Sequence, residues 1–149
     1  MRDSDLFAQN RVILSHFDSY STALVFARFG KTLLAPEAPP DSAVIAEAPP
    51  RIDEIHEGDA VARAAIVRYG LNAAEVFREP QFDAWLKADG HAIRIHLLRF
   101  RTFRAPADLI EPHGGVFSPI SELRGAARVQ LALLREVFNL ILGGDQKRG

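Results

Sequence analysis

The clearest pattern of apolar and polar positions lies in residues 91–104, where the two kinds of side chain alternate as they do in a β-strand. At the start of this segment, three apolar residues share one side and two basic residues share the other. The apolar residues are Ile93, Ile95 and Leu97, and the basic residues are Arg94 and His96. This alternation predicts a principal strand of the fold.

The alternation breaks where Leu97 and Leu98 stand side by side. We interpret Leu98 as the extra residue of a β-bulge, because a flat strand would place Arg99 beside the core, and burying an unpaired guanidinium group is costly. The bulge gathers four basic side chains on one face; Arg104 follows just beyond, and Phe103 can join them. This predicted basic face consists of Arg94, His96, Arg99 and Arg101.

The amino-terminal segments favour helices. Residues 4–17 fit a short amphipathic helix, but a strand over residues 11–17 is an open alternative, because the apolar run there matches either period. Residues 18–29 are largely apolar and predict a second helix that ends at Gly30.

Capping and stop signals mark three more short helices ahead of the strand. Asp59 is suited to cap the first of them, and Gly70 is suited to end it. A capping box in residues 72–75 begins the second, and the third carries Trp85, which we expect to pack against the strand. The three helices are predicted over residues 60–69, 72–79 and 81–88, and a turn at Asp89-Gly90 then leads into the strand.

Residues 35–50 interrupt this helical pattern. They hold five of the nine prolines, three acidic residues and no basic residue. Proline lacks an N–H donor and fixes φ, so the segment is predicted to be an extended linker or surface arm, with Val44 and Ile45 as a short edge contact. A docking site for a partner is the alternative. The part before the arm is too small to fold alone, so residues 1–149 are expected to form a single domain.

The carboxyl-terminal segment predicts one long helix. Ser118 precedes Pro119 at the first helical position, and the helix is expected to reach about Leu142, with a kink near Gly125. Its apolar stripe is wider than that of an ordinary core-facing helix, so it is either central or packed against another copy of the chain. The charged tail, residues 145–149, is expected to fray.

These elements together predict an α+β fold that is mostly helical, with a small antiparallel sheet centred on residues 91–104 and a long apolar C-terminal helix. A lone strand cannot satisfy its own backbone groups, so another segment must pair with it. The candidate partners are residues 11–17, 31–35 and 42–47, or the same strand of a second subunit.

The composition of the chain disfavours several kinds of partner and of chemistry. The chain of 149 residues has a net charge of -1, which gives no general attraction to nucleic acid or to an anionic membrane. It has no cysteine, which excludes disulfides and thiolate chemistry and suits the cytoplasm. The five histidines lack chelating spacings, so we expect no metal and no cofactor. The acidic amino terminus does not fit a signal peptide, and no apolar stretch is long enough to span a membrane.

The loop around His113 is the best candidate for catalysis. His113 stands beside Gly114 and Gly115, so it could act as a general base where a substrate meets bare backbone amides, with Glu111 orienting its imidazole. The competing interpretation is a sharp turn, because paired glycines also serve any chain reversal.

Two functions follow from these features. The leading hypothesis is a non-enzymatic binding or accessory protein, a homodimer, that recognises an acidic protein or a small anionic ligand through the predicted basic face. The basic face could instead be a solvated sheet surface, or one paired with acidic residues. The alternative hypothesis is a small enzyme in which His113 is the acid or base and Arg94 or Arg99 holds an anionic substrate. A nucleic-acid partner is disfavoured because the net charge is close to zero.

Overall fold

The computed structural model describes residues 3–123 and 125–143. These residues form seven strands and four short α-helices. The strands are β1 (Asn10–Asp18), β2 (Ala23–Phe29), β3 (Val44–Ala46), β4 (Val76–Arg78), β5 (Ala84–Ala88), β6 (His91–Phe100) and β7 (Gly115–Pro119). The helices are α1 (Asp3–Ala8), α2 (Gly58–Tyr69), α3 (Ala107–Ile110) and α4 (Arg128–Phe138).

All seven strands belong to one mixed sheet with the order β3-β5-β6-β1-β2-β7, and β4 pairs with β6 beyond the end of β5. The central pair, β1 and β6, is parallel, and every other pairing among the described strands is antiparallel. The strand predicted over residues 91–104 is therefore present as β6, and the segment 11–17 is confirmed as a partner. The sheet as a whole is mixed rather than small and antiparallel.

Apolar side chains cover both faces of this sheet. On one face, α4 packs against alternate side chains of β6, in a core that includes Ile93, Ile95, Leu97, Leu133, Leu134 and Val137. On the other face, α1 and α2 cover a second core that includes Leu6, Val12, Leu14, Val61, Ala65 and Leu98. The central strands are thus buried on both sides, which explains the loss of alternation at Leu97-Leu98.

The predicted β-bulge is wrong. The parallel register between β1 and β6 runs without interruption from Asn10 opposite Arg94 to His16 opposite Phe100. The predicted basic face is consequently divided, since Arg94 and His96 point to one side of the sheet and Arg99 points to the other. No bulge is needed to keep Arg99 out of the core, because it lies near the end of the strand and pairs with a carboxylate.

The prediction of a mostly helical fold is also wrong. Three segments predicted as helices are strands or lead into them: residues 18–29 contain β2, residues 72–79 contain β4, and residues 81–88 contain β5. Of residues 4–17, the first few form α1 and the rest form β1, as the strand alternative proposed. The apolar runs in β2 and β5 lie in the sheet, where a strand loses the alternation that would distinguish it from a helix.

The long C-terminal helix is wrong as well. Residues 115–119 are the edge strand β7 paired with β2, and α4 begins only at Arg128. A π-helical turn over Asn139–Gly143 extends α4. The tail of residues 145–149 lies outside the described residues. Within the described ranges, no helix has both the length and the apolar character needed to cross a bilayer.

Several predictions based on local turn, helix-end and edge-strand signals are confirmed. Gly70 ends α2 in the left-handed region with φ 63°, although Glu57, rather than Asp59, accepts the capping hydrogen bonds at the other end. Asp89 and Gly90 form the turn between β5 and β6, both with positive φ. Within the proline-rich arm, Val44 and Ile45 make the expected edge contact, as part of β3 paired with β5.

Candidate functional site

A buried polar network joins β6 to Asn10, the first residue of β1, whose side chain is fully buried. Its Nδ2 donates to the carbonyl oxygens of Leu6 (3.0 Å) and Ile55 (2.9 Å). Its Oδ1 can only accept, so the contact of 2.8 Å with His96 Nε2 assigns the imidazole proton to Nε2. The pKa of His96 is lowered to about 3, first by burial and then by the charges of Arg94 and Arg78 and of His56. His96 is therefore a neutral donor inside the fold.

Arg94 belongs to the same region and connects β6 to His56 and to Asp83. Its Nη1 donates to the carbonyl oxygen of His56 at 3.0 Å, and its Nη2 lies 3.4 Å from Asp83 Oδ1. The guanidinium carbon sits 5.3 Å from the ring centroid of Trp85, whose Nε1 donates to the same Asp83 oxygen. Among the described residues, Arg94 Nε and His56 Nδ1 have no hydrogen-bond partner. Arg94 and Asn10 thus bind the 54–56 turn to the sheet, and His96 holds Asn10 in place.

The far end of β6 presents the other two arginines around Phe77 of β4. Arg99 Nη1 contacts Glu79 Oε1 at 2.8 Å, and its guanidinium carbon lies 5.4 Å from the Phe77 ring centroid. The guanidinium carbon of Arg101 lies closer to that ring, at 4.4 Å. Arg101 is exposed and makes no ion pair within residues 3–123 and 125–143. The charge of Arg99 is neutralised by Glu79, whereas the charge of Arg101 is available to a partner.

Two exposed aromatic residues lie at the same end of the sheet as Arg101. Tyr20, in the turn between β1 and β2, is 86% exposed, and Phe103, just after β6, is 74% exposed. Their ring centroids are 6.0 Å apart in an edge-on arrangement. They meet because β1 and β6 are parallel and end together, and the ring N–H of His16 donates to the Thr102 carbonyl oxygen at 2.7 Å. The carboxyl ends of parallel strands are a common place for binding sites.

We call this region the arginine–aromatic surface and define it as Tyr20, Phe77, Arg101, Phe103 and Arg104. All five side chains belong to the turns and strand ends at the carboxyl end of the β1–β6 pair, and Arg104 is exposed like Arg101. Exposed aromatic side chains next to arginines are typical of the residues that dominate binding at protein interfaces. This surface is the candidate binding site of the protein.

The loop around His113 has a structural explanation for each of its features. His113 is exposed, and its ring packs edge-on against Tyr69 at 4.9 Å. Gly114 adopts φ 80° and caps the 3₁₀ turn, while a Cβ on Gly115 would lie only 2.7 Å from Phe29. Among the described residues, no hydrogen bond joins Glu111 to His113. The paired glycines are required by the turn and by close packing.

His113 and the arginines of β6 do not share neighbours. Arg94 contacts Trp85 and Asp83, and Arg99 contacts Glu79, whereas His113 contacts Tyr69. The loop leads into β7, and two strands separate β7 from β6 in the sheet, a distance of roughly 14 Å at about 4.8 Å per strand. The geometry gives no support to a shared pocket of the kind that the enzyme hypothesis requires.

Comparisons with known proteins leave the function to be argued from this geometry. No protein-family model matches the chain, and no curated protein is significantly similar to it. Within the described residues, no group of three or more histidine, aspartate or glutamate side chains is placed to hold a metal ion.

Sequence reasoning identified Arg101, Phe103 and Arg104 but missed Tyr20, Phe77 and Asn10. Tyr20 stands alone in the polar turn Asp18–Thr22, and an isolated aromatic residue in such a turn is the signal that could have identified it. Asn10 precedes an apolar run, and nothing in the sequence distinguishes a buried asparagine there from an exposed one.

Proposed function

We propose that the chain is a non-enzymatic binding protein that recognises an acidic segment of a partner protein through the arginine–aromatic surface. The observation that carries the proposal is the placement of the exposed Arg101 guanidinium over Phe77, at the same end of the sheet as the exposed Tyr20–Phe103 pair. Arginine on an aromatic ring is held in position while its N–H donors still face outward. Such a group suits a carboxylate in a peptide that also carries apolar side chains.

The charge of the surface favours a peptide over nucleic acid. Arg101 and Arg104 are its two cations, and the neighbouring Arg99 is already paired with Glu79. Binding to a nucleic-acid backbone normally uses many more phosphate contacts, and the net charge of -1 adds no general attraction. The exposed side chains of Tyr20 and Phe103 supply apolar contact area that a peptide can cover.

Only part of the predicted basic face contributes to this proposal. Arg94 and His96 are engaged in the buried network, and Gly114 with Gly115 shapes a turn elsewhere. Arg101 provides the positive charge for the acidic partner, and Arg99 lies next to Arg101 at the Phe77 ring.

The proposal is tested by reversing both cations, in the variant Arg101→Glu/Arg104→Glu. The probe is a short fluorescent peptide in which glutamate alternates with tyrosine, and its affinity is measured by fluorescence anisotropy. We expect the double variant to lose affinity by about tenfold or more, because two attractive charges become repulsive. Affinity of the unmodified protein should also fall as salt is added.

The matched control is Arg51→Glu/Arg63→Glu, which makes the same charge change at two exposed arginines outside the arginine–aromatic surface. We expect this control to retain most of the affinity. Equal losses in the two double variants would show that only net charge matters and would overturn the proposed site. Tighter binding of labelled oligothymidylate than of the peptide would favour a nucleic-acid partner instead.

A homodimer remains a proposal, and neither an unpaired strand nor a long apolar helix supports it. The fold pairs β6 within one chain, and α4 is short and packed on the sheet. Size-exclusion chromatography with light scattering measures the oligomeric state directly. The expectation of a cytoplasmic setting rests on the absence of cysteine alone.

A further inference from the structure

A groove of about 290 Å³ lies between the turn that follows β2 and the segment that leads from β7 to α4. Its volume is near the lower end of the range for small-molecule sites, roughly 300–1,000 Å³, so the groove suits a small ligand. None of the five residues that define the arginine–aromatic surface lines it. Any ligand of this groove is therefore independent of the proposed binding of an acidic peptide.

The turn after β2 brings two cationic side chains to the groove. Gly30, with φ 64°, reverses the chain so that Phe29 and Thr32 exchange two backbone hydrogen bonds, of 2.8 and 3.2 Å. Lys31 stands in this turn, and Arg28 immediately precedes it. Arg28 Nη1 donates to the Gly30 carbonyl oxygen at 2.7 Å, which holds the guanidinium beside the groove and leaves the donors on Nε and Nη2 for a ligand.

The opposite wall of the groove supplies a carboxylate. Glu122 ends the 3₁₀ turn Ile120–Glu122, which is closed by a backbone hydrogen bond of 3.0 Å from the Leu123 N–H to the Ile120 carbonyl oxygen. Arg28, Lys31 and Glu122 all line the groove, yet in the described part of the chain none of them forms an ion pair. Charges of both signs therefore border the groove without neutralising each other.

The floor of the groove is aliphatic. Leu33 and Leu123 line it although they are only 1% and 2% exposed, because both belong to the core that packs against α4. Ala126 also lines the groove and is partly buried against the same core. An aliphatic group of a ligand can cover this floor, and burial of apolar surface favours binding.

We propose that this groove binds a free α-amino acid with an aliphatic side chain, such as leucine. The ligand carboxylate accepts hydrogen bonds from Arg28 and Lys31, and the ligand ammonium donates to Glu122. The aliphatic side chain lies against Leu33 and Leu123. A zwitterion satisfies the charges of both walls, whereas a ligand with only one charge leaves the opposite wall without a partner.

Three probes separate the elements of this proposal: leucine, leucinamide, which lacks the carboxylate, and N-acetylleucine, which lacks the ammonium. Calorimetry measures the affinities, and the NMR signals of the Leu33 and Leu123 methyl groups report the place of binding. We expect leucine to bind and to shift those signals, and each of the other two probes to bind about tenfold more weakly or less. Equal affinity for the three probes, or leucine that leaves both sets of methyl signals unmoved, overturns the proposal.

Two variants assign the charged groups of the ligand to their walls. Glu122→Gln should weaken leucine binding by about tenfold but leave the affinity for N-acetylleucine unchanged, because that probe has no ammonium. Arg28→Gln should weaken leucine binding by about tenfold but leave the affinity for leucinamide unchanged. Glu54→Gln makes the first change at an exposed position outside the groove and should leave all three affinities as they are.

Glu122 is exposed and makes no ion pair among the described residues, so Glu122→Gln is expected to keep the melting temperature of the unmodified protein. Its result therefore decides the proposal even if Arg28→Gln disturbs the turn. A Glu122→Gln variant that binds leucine undiminished, or that loses as much affinity for N-acetylleucine as for leucine, contradicts the site.

Discussion

Replacing Asn10 with alanine is expected to lower the free energy of unfolding by about 3 kcal/mol. The substitution removes three hydrogen bonds at once and leaves the Leu6 and Ile55 carbonyl oxygens and the His96 N–H without their partner. The site is fully buried, so water cannot replace the missing side chain without entering the fold. Urea denaturation of the two proteins measures the difference.

Asn72→Ala is the matched control for this measurement. Asn72 is exposed, and its side chain accepts one hydrogen bond, from the Ala74 N–H at 3.0 Å. The control should cost less than about 1 kcal/mol, because water can solvate an exposed backbone N–H. If the two substitutions cost the same, the network around Asn10 does not hold the 54–56 turn to the sheet as described.

The second large effect is the pH dependence that His96 imparts. Its pKa in the folded protein is about 3, mainly because burial disfavours the charged imidazole, whereas an unfolded histidine titrates near 6.5. Below pH 6.5 the unfolded chain therefore binds a proton that the folded chain does not. The contribution of His96 to stability is complete above pH 6.5 and is lost as the pH falls towards 3; at pH 5 the loss is about 2 kcal/mol.

The variant His96→Gln isolates this contribution from that of the other histidines. Glutamine can still donate to Asn10 Oδ1 but does not titrate, so the variant should lose less stability than the unmodified protein between pH 7 and pH 5. His91→Gln, at an exposed position, should keep the original pH dependence. Urea denaturation at the two pH values gives the comparison, and identical pH dependence in His96→Gln and the unmodified protein would rule out a buried neutral His96.

The fold could be predicted only where local signals were sufficient. Asp89-Gly90 and Gly70 mark their turn and helix end because glycine, and to a lesser extent aspartate, readily adopts the positive φ found at these positions. The strand β2 was read as a helix because Ala23–Phe29 holds apolar residues on both faces and a single β-branched residue, Val25. Its strand character comes from pairing with β1 and β7, and the second of these partners lies far along the chain.

The candidate site was predicted only in part, because some of its residues are brought together by contacts between distant segments of the chain. Arg101 and Phe103 stand in a segment whose basic and aromatic character is visible in the sequence. The ion pair that occupies Arg99 joins it to Glu79, and the aromatic partner of Phe103 is Tyr20, more than eighty positions away. The division of the basic residues between two faces also depended on an uninterrupted register with β1, which the sequence of β6 alone does not specify.

The most direct test of the arginine–aromatic surface is an NMR titration of the isotopically labelled protein with the glutamate–tyrosine peptide. The proposed function predicts that chemical-shift changes concentrate in residues 101–104 and in the turn around Tyr20, and that the Arg101 side-chain signals move with them. Signals of Arg94, of the buried His96 and of the loop at His113 should stay in place. Changes centred on His113 to Gly115, with residues 101–104 unaffected, would contradict the proposed binding site.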